Sequence, residues 1–445
     1  MVWLCYYQIY TQTQLLLSRK TMLRPRRHKH KSTHSNTESE ANPNSGLRLA
    51  HKQNVDGQRP TRSSPLPWNL AVPTHRRERA TEGLLMGCAV AESLSLARNG
   101  IHPRVGLKLF GRNPLQFQFQ PGSGVTSHRT HALLMSFQAM LQSKTDPNIY
   151  SANVKNRIAW YQRAFPLRHT HIHLSRLVNR IIGRHFDDSM TVGLGDDPLI
   201  RSLVMSIMLQ GCVESATSWF QSSVAVSHMD LRVLHASTLI GYAAQLAQMS
   251  EQQDFDSNQI LSRLIAVTEE PELKSMLLSL QDPLERKRSL AAVARQQGWE
   301  HGIPPDVFAA AIIGIYAWLR HPKRFRNSVE RTILLGGHCS CPAVVAGSLT
   351  GISLGKRGIP TEWLKKVSTY PHNSLWHERL IERVKDWPHG VDDIHETKSL
   401  PSSVLGQIGR NISFSALRML HALIRLPMRL TQFSLLKRKS KTHSS

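Results

Sequence analysis

Apolar residues recur at helical spacing through most of the chain. From about Arg79 onward, Leu, Ile, Val, Met and Ala stand at positions i, i+3, i+4 and i+7, as in ATEGLLMGCAVAESLSLA, SLVMSIMLQGCVESA and CPAVVAGSLTGISLG. This period places apolar side chains on one face of an α-helix. Alternating β-branched runs are scarce, and many segments are rich in Ala, Gly and Ser, which suits close contact between helices. The pattern predicts an all-α domain over residues 79–390, a compact multi-helix bundle.

Both ends of the chain differ from this pattern. Residues 1–78 are rich in Ser, Thr, Asn, His, Arg and Pro, which predicts a disordered basic N-terminal segment, with Met22 as an alternative start. Residues 391–445 form a basic C-terminal tail that contains the amphipathic stretch SALRMLHALIRLPMRLTQFSLLKRKS, interrupted by Pro427. Such a helix could lie on a membrane surface or dock on the domain, and we expect docking or fraying.

The charge of the chain is strongly positive. Its 445 residues include 56 Lys and Arg against 31 Asp and Glu, a formal net charge of +25, and residues 401–445 contain neither Asp nor Glu. Basic tails attract anionic partners such as nucleic acid, phosphates or membrane surfaces. Neither tail has the interleaved aromatic residues of a base-stacking site. We therefore expect solvated tails with non-specific affinity for anions.

Hydrophobic content and cysteine usage limit the class of protein. Hydrophobic residues make up 40% of the chain, enough for one large core or two smaller ones. No run of about 18 apolar residues occurs, so no transmembrane segment is predicted. The five cysteines are odd in number and unevenly spread, which argues against a disulfide framework and for a reducing compartment. We expect a cytoplasmic protein.

One short stretch concentrates polar and soft side chains between apolar ones. Residues 334–347 read LLGGHCSCPAVVAG, in which two glycines precede His338, Cys339 and Cys341. A glycine turn that enters a buried helix often presents ligand-binding groups. If the fold brings His128 to the same place, these four side chains would offer ligands for Zn²⁺, although C-x-C is an unusual zinc spacing. A redox role for the two thiols at a helix N-terminus is the other alternative.

Five segments, taken in order, resemble the motifs of the ADP-ribosylglycohydrolase family. GCAVAESLSLARN is similar to G-L-A-x-G-D-A-x-G-x-x-x-E, SHRT to [ST]-D-D-T, GDDPLIR to G-N-G-x-x-M-R, SHMD to [ST]-H-x-[DH], and GGHCSC to G-G-D-T-D-[TS]. Five motifs in order over residues 80–385 make the resemblance specific. It implies an all-α fold, a pair of Mg²⁺ ions held by Ser/Thr and Asp side chains, and cleavage of ADP-ribosyl bonds to protein side chains or related groups.

The positions that hold the metal in the family carry other residues in this chain. These degenerate ligand positions are Ser127, His128 and Arg129 in the second motif and His338, Ser340 and Cys341 in the last. None of the four Asp positions has a carboxylate, although Mg²⁺ prefers oxygen ligands whose charge offsets its own. A guanidinium about 4 Å from a dication is repelled by roughly 8 kcal/mol at an effective dielectric constant of about 20. We therefore predict that the family's Mg²⁺ pair does not form.

The resemblance also indicates acid and substrate-binding positions. Glu92 takes the place of the first-motif Asp, and the position of the cleavage Glu holds Asn99, whose amide cannot act as a general base. For Glu92 a helix-capping or surface role competes with a catalytic one, and we favour the former. The implied substrate-binding positions are Gly195, Asp196, His228, Asp230, Gly336 and Gly337, with Arg201 following at the family's spacing.

Two further clusters have simpler interpretations. An acidic cluster consists of Asp187, Asp188, Asp196 and Asp197. We interpret it as a solvated turn before a helix. Residues 168–174, RHTHIHL, form a histidine cluster that could bind metal weakly, and a surface location is the favoured interpretation.

These observations favour a family member with a degenerate metal site. The leading hypothesis is a non-catalytic protein, a pseudoenzyme without a cofactor, that retains binding of ADP-ribose, a nucleotide or an ADP-ribosylated protein. The first alternative is an active hydrolase that releases ADP-ribose from N- or O-glycosidic bonds by altered metal chemistry, with Zn²⁺ as the weaker choice. The second alternative is a scaffold that binds anionic partners through its basic tails.

Overall fold

The computed structural model describes residues 73–112, 114–163, 197–209, 216–250, 255–388 and 399–441. All of them belong to a unit that spans residues 64–445. They are helical almost throughout, which confirms the predicted all-α class. In chain order the helices are α1 (Thr74–Ser95), α2 (Pro103–Phe110), α3 (His128–Leu141), α4 (Pro147–Arg163), α5 (Asp197–Leu209), α6 (Thr217–Ala225), α7 (Leu231–Met249), α8 (Ser257–Val267), α9 (Pro271–Leu278), α10 (Gln281–Glu285), α11 (Leu290–Gln296), α12 (Val307–Arg320), α13 (Phe325–Ile333), α14 (Ser340–Leu354), α15 (Thr361–Leu364), α16 (Ser374–Asp386) and α17 (Val404–Lys441).

Short non-α elements connect these helices. Strand β1 (Gly124–Val125) pairs in parallel with strand β2 (Val367–Ser368), and a 3-10 turn, Lys356–Gly358, follows α14. The segment predicted as disordered lies outside the described residues up to position 72, whereas its last residues form the start of α1.

Helices α1 and α14 cross at backbone contact. A Cβ added at Gly87 would lie 2.4 Å from the carbonyl oxygen of Gly347, so a side chain there would push the helices apart. Farther along α1, Ser95 Oγ lies 2.7 Å from Ser340 Oγ at the start of α14. The two helices therefore run in opposite directions, and the end of α1 meets the beginning of α14.

Helices α5 and α12 lie in the core. Every residue of α5 is buried, and so are residues 308–319 of α12. Helix α5 packs against α3 and α7, while α12 packs against α14. The side chain of Asp306 caps α12 by accepting a hydrogen bond from the Ala309 N–H at 2.8 Å. Helices α5 and α12 thus form a buried centre, against which α3, α7 and α14 pack.

Helix α17 is continuous from Val404 to Lys441. The sequence predicts an interruption at Pro427, and the structure corrects this prediction. A proline removes one backbone donor from a helix, which can bend it without ending it. Within the described residues, no helix combines the length and the apolar character that crossing a membrane requires.

The first half of α17 docks on the domain. Phe414 lies beside Phe119 with ring centroids 5.5 Å apart, and His421 stacks on the same ring at 4.4 Å. Arg410 donates a hydrogen bond to the carbonyl oxygen of Thr126, directly before the second motif. The tail that follows the family-like region therefore contacts the domain near that motif.

Candidate functional site

The N-terminus of α3 is where the first and second motifs meet. Glu92, on the last turn of α1, is fully buried. Its carboxylate accepts hydrogen bonds from the backbone N–H groups of Ser127 (2.9 Å), Arg129 (3.0 Å) and Thr130 (3.1 Å). The hydroxyls of Ser127 and Thr130 donate to the same carboxylate, the second at 2.6 Å. Because a helix N-terminus has N–H groups without intrahelical partners, Glu92 caps α3 from another helix.

The pKa of Glu92 lies below its ordinary value in spite of this burial. Burial by itself raises the pKa, but the nearby His128 and Arg129 lower it, as do the hydrogen bonds from Ser127 and Thr130. The carboxylate is therefore ionised at neutral pH, and its oxygens are committed to the start of α3.

Arg129 joins the second motif to the last one. The residue is 8% exposed, and its guanidinium donates a hydrogen bond to Ser340 Oγ at 3.1 Å. The same Oγ lies 2.7 Å from Ser95 Oγ. The backbone N–H of Ser340 donates to Asn99 Oδ1 at 3.2 Å, so Asn99 caps α14 as Glu92 caps α3. A buried guanidinium thus links two capped helix N-termini.

His128 lies near a second buried carboxylate. Its Nε2 is 3.8 Å from Asp197 Oδ1, and its Nδ1 is 3.4 Å from Ser127 Oγ. Asp197 is the first residue of α5 and is 4% exposed. The sequence places it in a solvated turn, and the structure corrects this because α5 packs against α3. The other members of the acidic cluster, Asp187, Asp188 and Asp196, lie outside the described residues, as do residues 168–174.

The polar residues of the last motif do not share one environment. His338 is exposed, whereas Cys339 and Cys341 are 0% and 6% exposed and belong to the hydrophobic core. In the described part of the chain, no three His, Cys, Asp or Glu side chains are placed to hold one metal ion. The zinc alternative, which needs His128 beside these three residues, therefore finds no ligand set there. Burial of the thiols also separates them from solutes, which a redox role requires them to meet.

The glycine pair of the last motif packs against protein backbone. Gly336 and Gly337 have φ angles of +67° and +63°, in the region that favours glycine. A Cβ at Gly337 would lie 2.4 Å from the Ile303 carbonyl oxygen. The N–H of Gly337 donates to Ile101 at 2.8 Å, and that of Gly336 to Ile333 at 3.1 Å. The resemblance assigns both glycines to substrate binding, and in the structure the N–H groups of both donate to backbone carbonyl oxygens.

The third and fourth motifs are connected through Ser227. Arg201 is 1% exposed and donates to Ser227 Oγ at 2.8 Å and to the Ser223 carbonyl at 2.9 Å. The Ser227 hydroxyl in turn lies 2.9 Å from Nδ1 of His228, which is half-buried. Burial lowers the pKa of Arg201, and the electrostatic interactions with Tyr150 and then Asp197 counteract this effect. A buried cation thus orients a hydroxyl and an imidazole.

The remaining predicted substrate-binding positions divide into two groups. Asp230 is exposed and caps α7, because its side chain accepts a hydrogen bond from the Arg232 N–H at 2.8 Å. Gly195 and Asp196 lie outside the described residues.

Comparison with known proteins shows which family the chain belongs to. The ADP-ribosylglycohydrolase family model matches residues 73–392. The chain belongs to the ADP-ribosylglycohydrolase family. A solved structure titled "ADP-ribosylglycohydrolase-related protein complex" is similar over 70% of this chain and 96% of its own, with 17% sequence identity and a TM-score of 0.46. No curated protein matches the chain.

The residues of this ADP-ribosylglycohydrolase-family protein do not fit the Mg²⁺ pair that the resemblance implies. Ser127 donates its hydroxyl to Glu92, and Ser340 accepts a hydrogen bond from Arg129. The carboxylate nearest the second motif, that of Glu92, already accepts hydrogen bonds from α3. A hard dication needs carboxylate and hydroxyl oxygens that are free to coordinate it. Here the oxygens are engaged, and a buried guanidinium lies among them.

Sequence reasoning missed some residues of this site. Thr130 completes the second motif, and its hydroxyl and N–H both bind Glu92. Ser95 stands three residues after Glu92, a spacing that places both on one face of α1. The i, i+3 spacing and the match of Thr130 to the last position of the family pattern [ST]-D-D-T were the available signals. The burial of Asp197 had no such signal, because it depends on helix packing.

Proposed function

We propose that this chain is a non-catalytic member of the ADP-ribosylglycohydrolase family in which a protein cation replaces the bound metal. The hydrogen bond from Arg129 to Ser340 carries the proposal. Both positions correspond to Asp residues that, by resemblance, hold Mg²⁺ in the family. In this chain, the guanidinium at the first position donates a hydrogen bond to the hydroxyl at the second. A guanidinium stays protonated in proteins and offers several donors, so it can join the two motifs without an ion.

The groups at the family's acid positions support the same conclusion. Asn99 uses its amide oxygen to cap α14 and has no basic site for a proton. Glu92 remains a carboxylate, but its lowered pKa and its hydrogen bonds to α3 make it a poor proton acceptor near neutral pH. Neither residue is therefore suited to activate water.

Binding of ADP-ribose is the function that we assign to the remaining polar groups. His228 is half-buried and is positioned by Ser227, which Arg201 holds in turn. Imidazole and hydroxyl groups recognise ribose hydroxyls and phosphate oxygens by hydrogen bonding, and a nearby cation favours a doubly charged pyrophosphate. These contacts support a binding role that does not require metal.

Hydrolysis and binding assays on the full chain test the two parts of this proposal. With Mg²⁺ present, we expect release of ADP-ribose from an ADP-ribosylated protein at the rate of buffer alone, and saturable heat on titration with ADP-ribose. Release well above buffer contradicts the non-catalytic part. No heat at millimolar ADP-ribose contradicts the binding part and favours a scaffold that acts through the basic tails.

A matched pair of histidine variants localises the binding. His228→Ala should weaken ADP-ribose binding by about tenfold, which corresponds to one hydrogen bond of about 1.4 kcal/mol. His235→Ala changes a half-buried histidine on α7 outside the motif and should leave the affinity unchanged. Equal affinities for both variants would place the ligand elsewhere.

The contact between His128 and Asp197 favours a second candidate function. A histidine beside a buried carboxylate is an arrangement that can serve as a general base, here with Nε2 and Oδ1 3.8 Å apart. A hydrolase that uses altered chemistry would therefore depend on His128. If the assay shows release, His128→Gln should abolish it. Under the leading proposal, wild type and His128→Gln are equally inactive.

A further inference from the structure

A cavity of about 490 Å³ lies next to the end of the family domain. Residues of α3, α4 and α16 line it, together with residues 399–407. That last segment follows the region matched by the family model, residues 73–392. The cavity is thus completed by a part of the chain that the family domain does not include, and its volume is in the range of small-molecule sites.

Aromatic side chains form a large part of the lining. Trp160, Tyr161 and Trp376 line the cavity, and Trp160 is 36% exposed. The ring of His131 stacks on Tyr161 at 5.5 Å between centroids, and that of His372 lies 4.2 Å from Trp376. Packed aromatic faces of this kind suit a planar ring.

Arg157 brings a positive charge to this lining. Its guanidinium donates hydrogen bonds to Gln142 Oε1 and, at 3.0 Å, to Ser399 Oγ, and both acceptors are neutral. None of the described residues that line the cavity is Asp or Glu. Arg157 is half-buried, and this burial lowers the pKa of its guanidinium. Since desolvated charges are ordinarily paired, an anion in the cavity would give Arg157 a counter-charge that none of the described lining residues provides.

The two buried histidines of the lining, His131 and His372, add no positive charge to that of Arg157. Burial lowers the pKa of His131 well below its ordinary value, and it lowers the pKa of His372 to about 4. Both rings are therefore neutral at physiological pH. Nε2 of His131 has no hydrogen-bond partner among the described residues, and Nε2 of His372 lies 3.2 Å from Ser402 Oγ. Neutral imidazoles add hydrogen-bonding capacity without adding charge.

We propose that this cavity binds a planar aromatic molecule that carries an anionic group, with the ring among the aromatic residues and the anion on Arg157. A cationic ligand is disfavoured because the described lining offers a positive charge and no acid. A neutral ring would leave Arg157 without a counter-charge among the described lining residues. The described lining contains none of Arg201, Ser227 and His228, to which we assign ADP-ribose binding, so the cavity has a different lining from that site.

Three indole probes of similar size and different charge test this assignment on the full chain by titration calorimetry. Indole-3-acetate is an anion, indole-3-acetamide is neutral and tryptamine is a cation. We expect indole-3-acetate to bind about tenfold more tightly than the acetamide, as for one added charge-assisted hydrogen bond. Tryptamine should bind more weakly than both.

Matched arginine variants assign this preference to the cavity. Arg157→Gln should bring the affinities of the anion and the amide together, whereas Arg263→Gln, at an exposed position on α8, should leave their ratio unchanged. Trp160→Ala changes an exposed side chain and should weaken both probes alike, so it tests the ring contact even if the Arg157 variant fails to fold.

Three results would overturn the assignment. They are no saturable binding of any probe up to its solubility, equal affinity for all three charges, and an anion preference that Arg157→Gln leaves intact. ADP-ribose should not compete with indole-3-acetate, because the two sites have different linings. Failure of ADP-ribose binding therefore leaves the cavity proposal standing, and the reverse also holds.

Discussion

Arg129 on α3 donates a hydrogen bond to Ser340 Oγ on α14 across 3.1 Å, although 211 positions separate the two residues in the chain. Glu92 of α1 holds the same end of α3 through the backbone N–H of Arg129. A cation, a carboxylate and hydroxyls thus join three helices at a buried point. By resemblance, metal ions lie between these motifs in the family, so this chain keeps the connection between the motifs with different chemistry.

Replacing Glu92 with Gln should destabilise the fold. Gln has nearly the same shape, but its amide nitrogen would face N–H and O–H donors that now bind a carboxylate oxygen. We expect the free energy of unfolding to fall by about 3 kcal/mol, the range for buried hydrogen bonds to a charged group. Chemical denaturation measures the change. Glu78→Gln, at an exposed position on the same helix, is the control and should change the free energy of unfolding by less than about 0.5 kcal/mol. Equal effects of the two substitutions would show that Glu92 does not cap α3.

Acid should weaken the fold through the same carboxylate. Because the folded-state pKa of Glu92 is lowered, ionised Glu92 stabilises the fold above the ordinary Glu pKa of about 4.3. This contribution is lost as the pH falls through the folded-state pKa. The difference in unfolding free energy between wild type and Glu92→Gln should therefore shrink as the pH is lowered from about 5. Denaturation curves at stepped pH measure it, and a difference that stays constant through this range argues against the lowered pKa.

Replacing Arg129 with Met should weaken the contact between α3 and α14. Met keeps much of the side-chain volume and removes the charged donor to Ser340 and the positive charge beside Glu92. We expect a loss of about 2 kcal/mol in unfolding free energy, with Arg129→Lys between this variant and wild type because an ammonium keeps the charge but not the planar geometry. Denaturant titration of all three proteins gives the order. Unchanged stability in Arg129→Met would mean that the guanidinium does not hold the helices together.

Substitution of Gly87 by Ala should force α1 and α14 apart. The added Cβ would lie 2.4 Å from the Gly347 carbonyl oxygen, and overpacking of this kind lowers the free energy of unfolding by about 1–3 kcal/mol. Gly409→Ala in α17 is the matched control, because a Cβ there meets no atom within 4 Å. It should raise stability by up to about 1 kcal/mol, since Ala favours a helix. Thermal unfolding compares them, and a lower melting temperature for Gly409→Ala than for Gly87→Ala would exclude this crossing.

The sequence predicts which segments form helices better than it predicts which helices pack against each other. A buried stripe is a local property of a segment, so apolar spacing predicts α1, α5 and α14. Small residues indicate that α1 approaches another helix closely, but they do not indicate that α14 is its partner. Pairing depends on contacts between residues far apart in the chain, which spacing within one segment does not contain.

The order of the motifs predicted the part of the candidate site that consists of motif residues. The resemblance assigns Arg129 and Ser340 to one site, and the structure shows them hydrogen-bonded. It does not reveal that Glu92 binds the start of α3, or that Asp197 is buried, because both depend on how the helices pack. The cavity beside residues 399–407 was missed for the same reason, since its lining comes from segments more than 200 positions apart.

Titration with Mn²⁺, followed by electron paramagnetic resonance, tests most directly whether a protein cation replaces the metal pair. Mn²⁺ accepts the same oxygen ligands as Mg²⁺. The positive control combines His128→Asp, Arg129→Asp, His338→Asp and Ser340→Asp, which restores the family's carboxylates and should gain saturable binding. For the wild-type chain we predict no saturable binding of Mn²⁺ at micromolar concentrations. Stoichiometric binding of one or two Mn²⁺ ions by the wild-type chain would contradict the replacement of metal by Arg129.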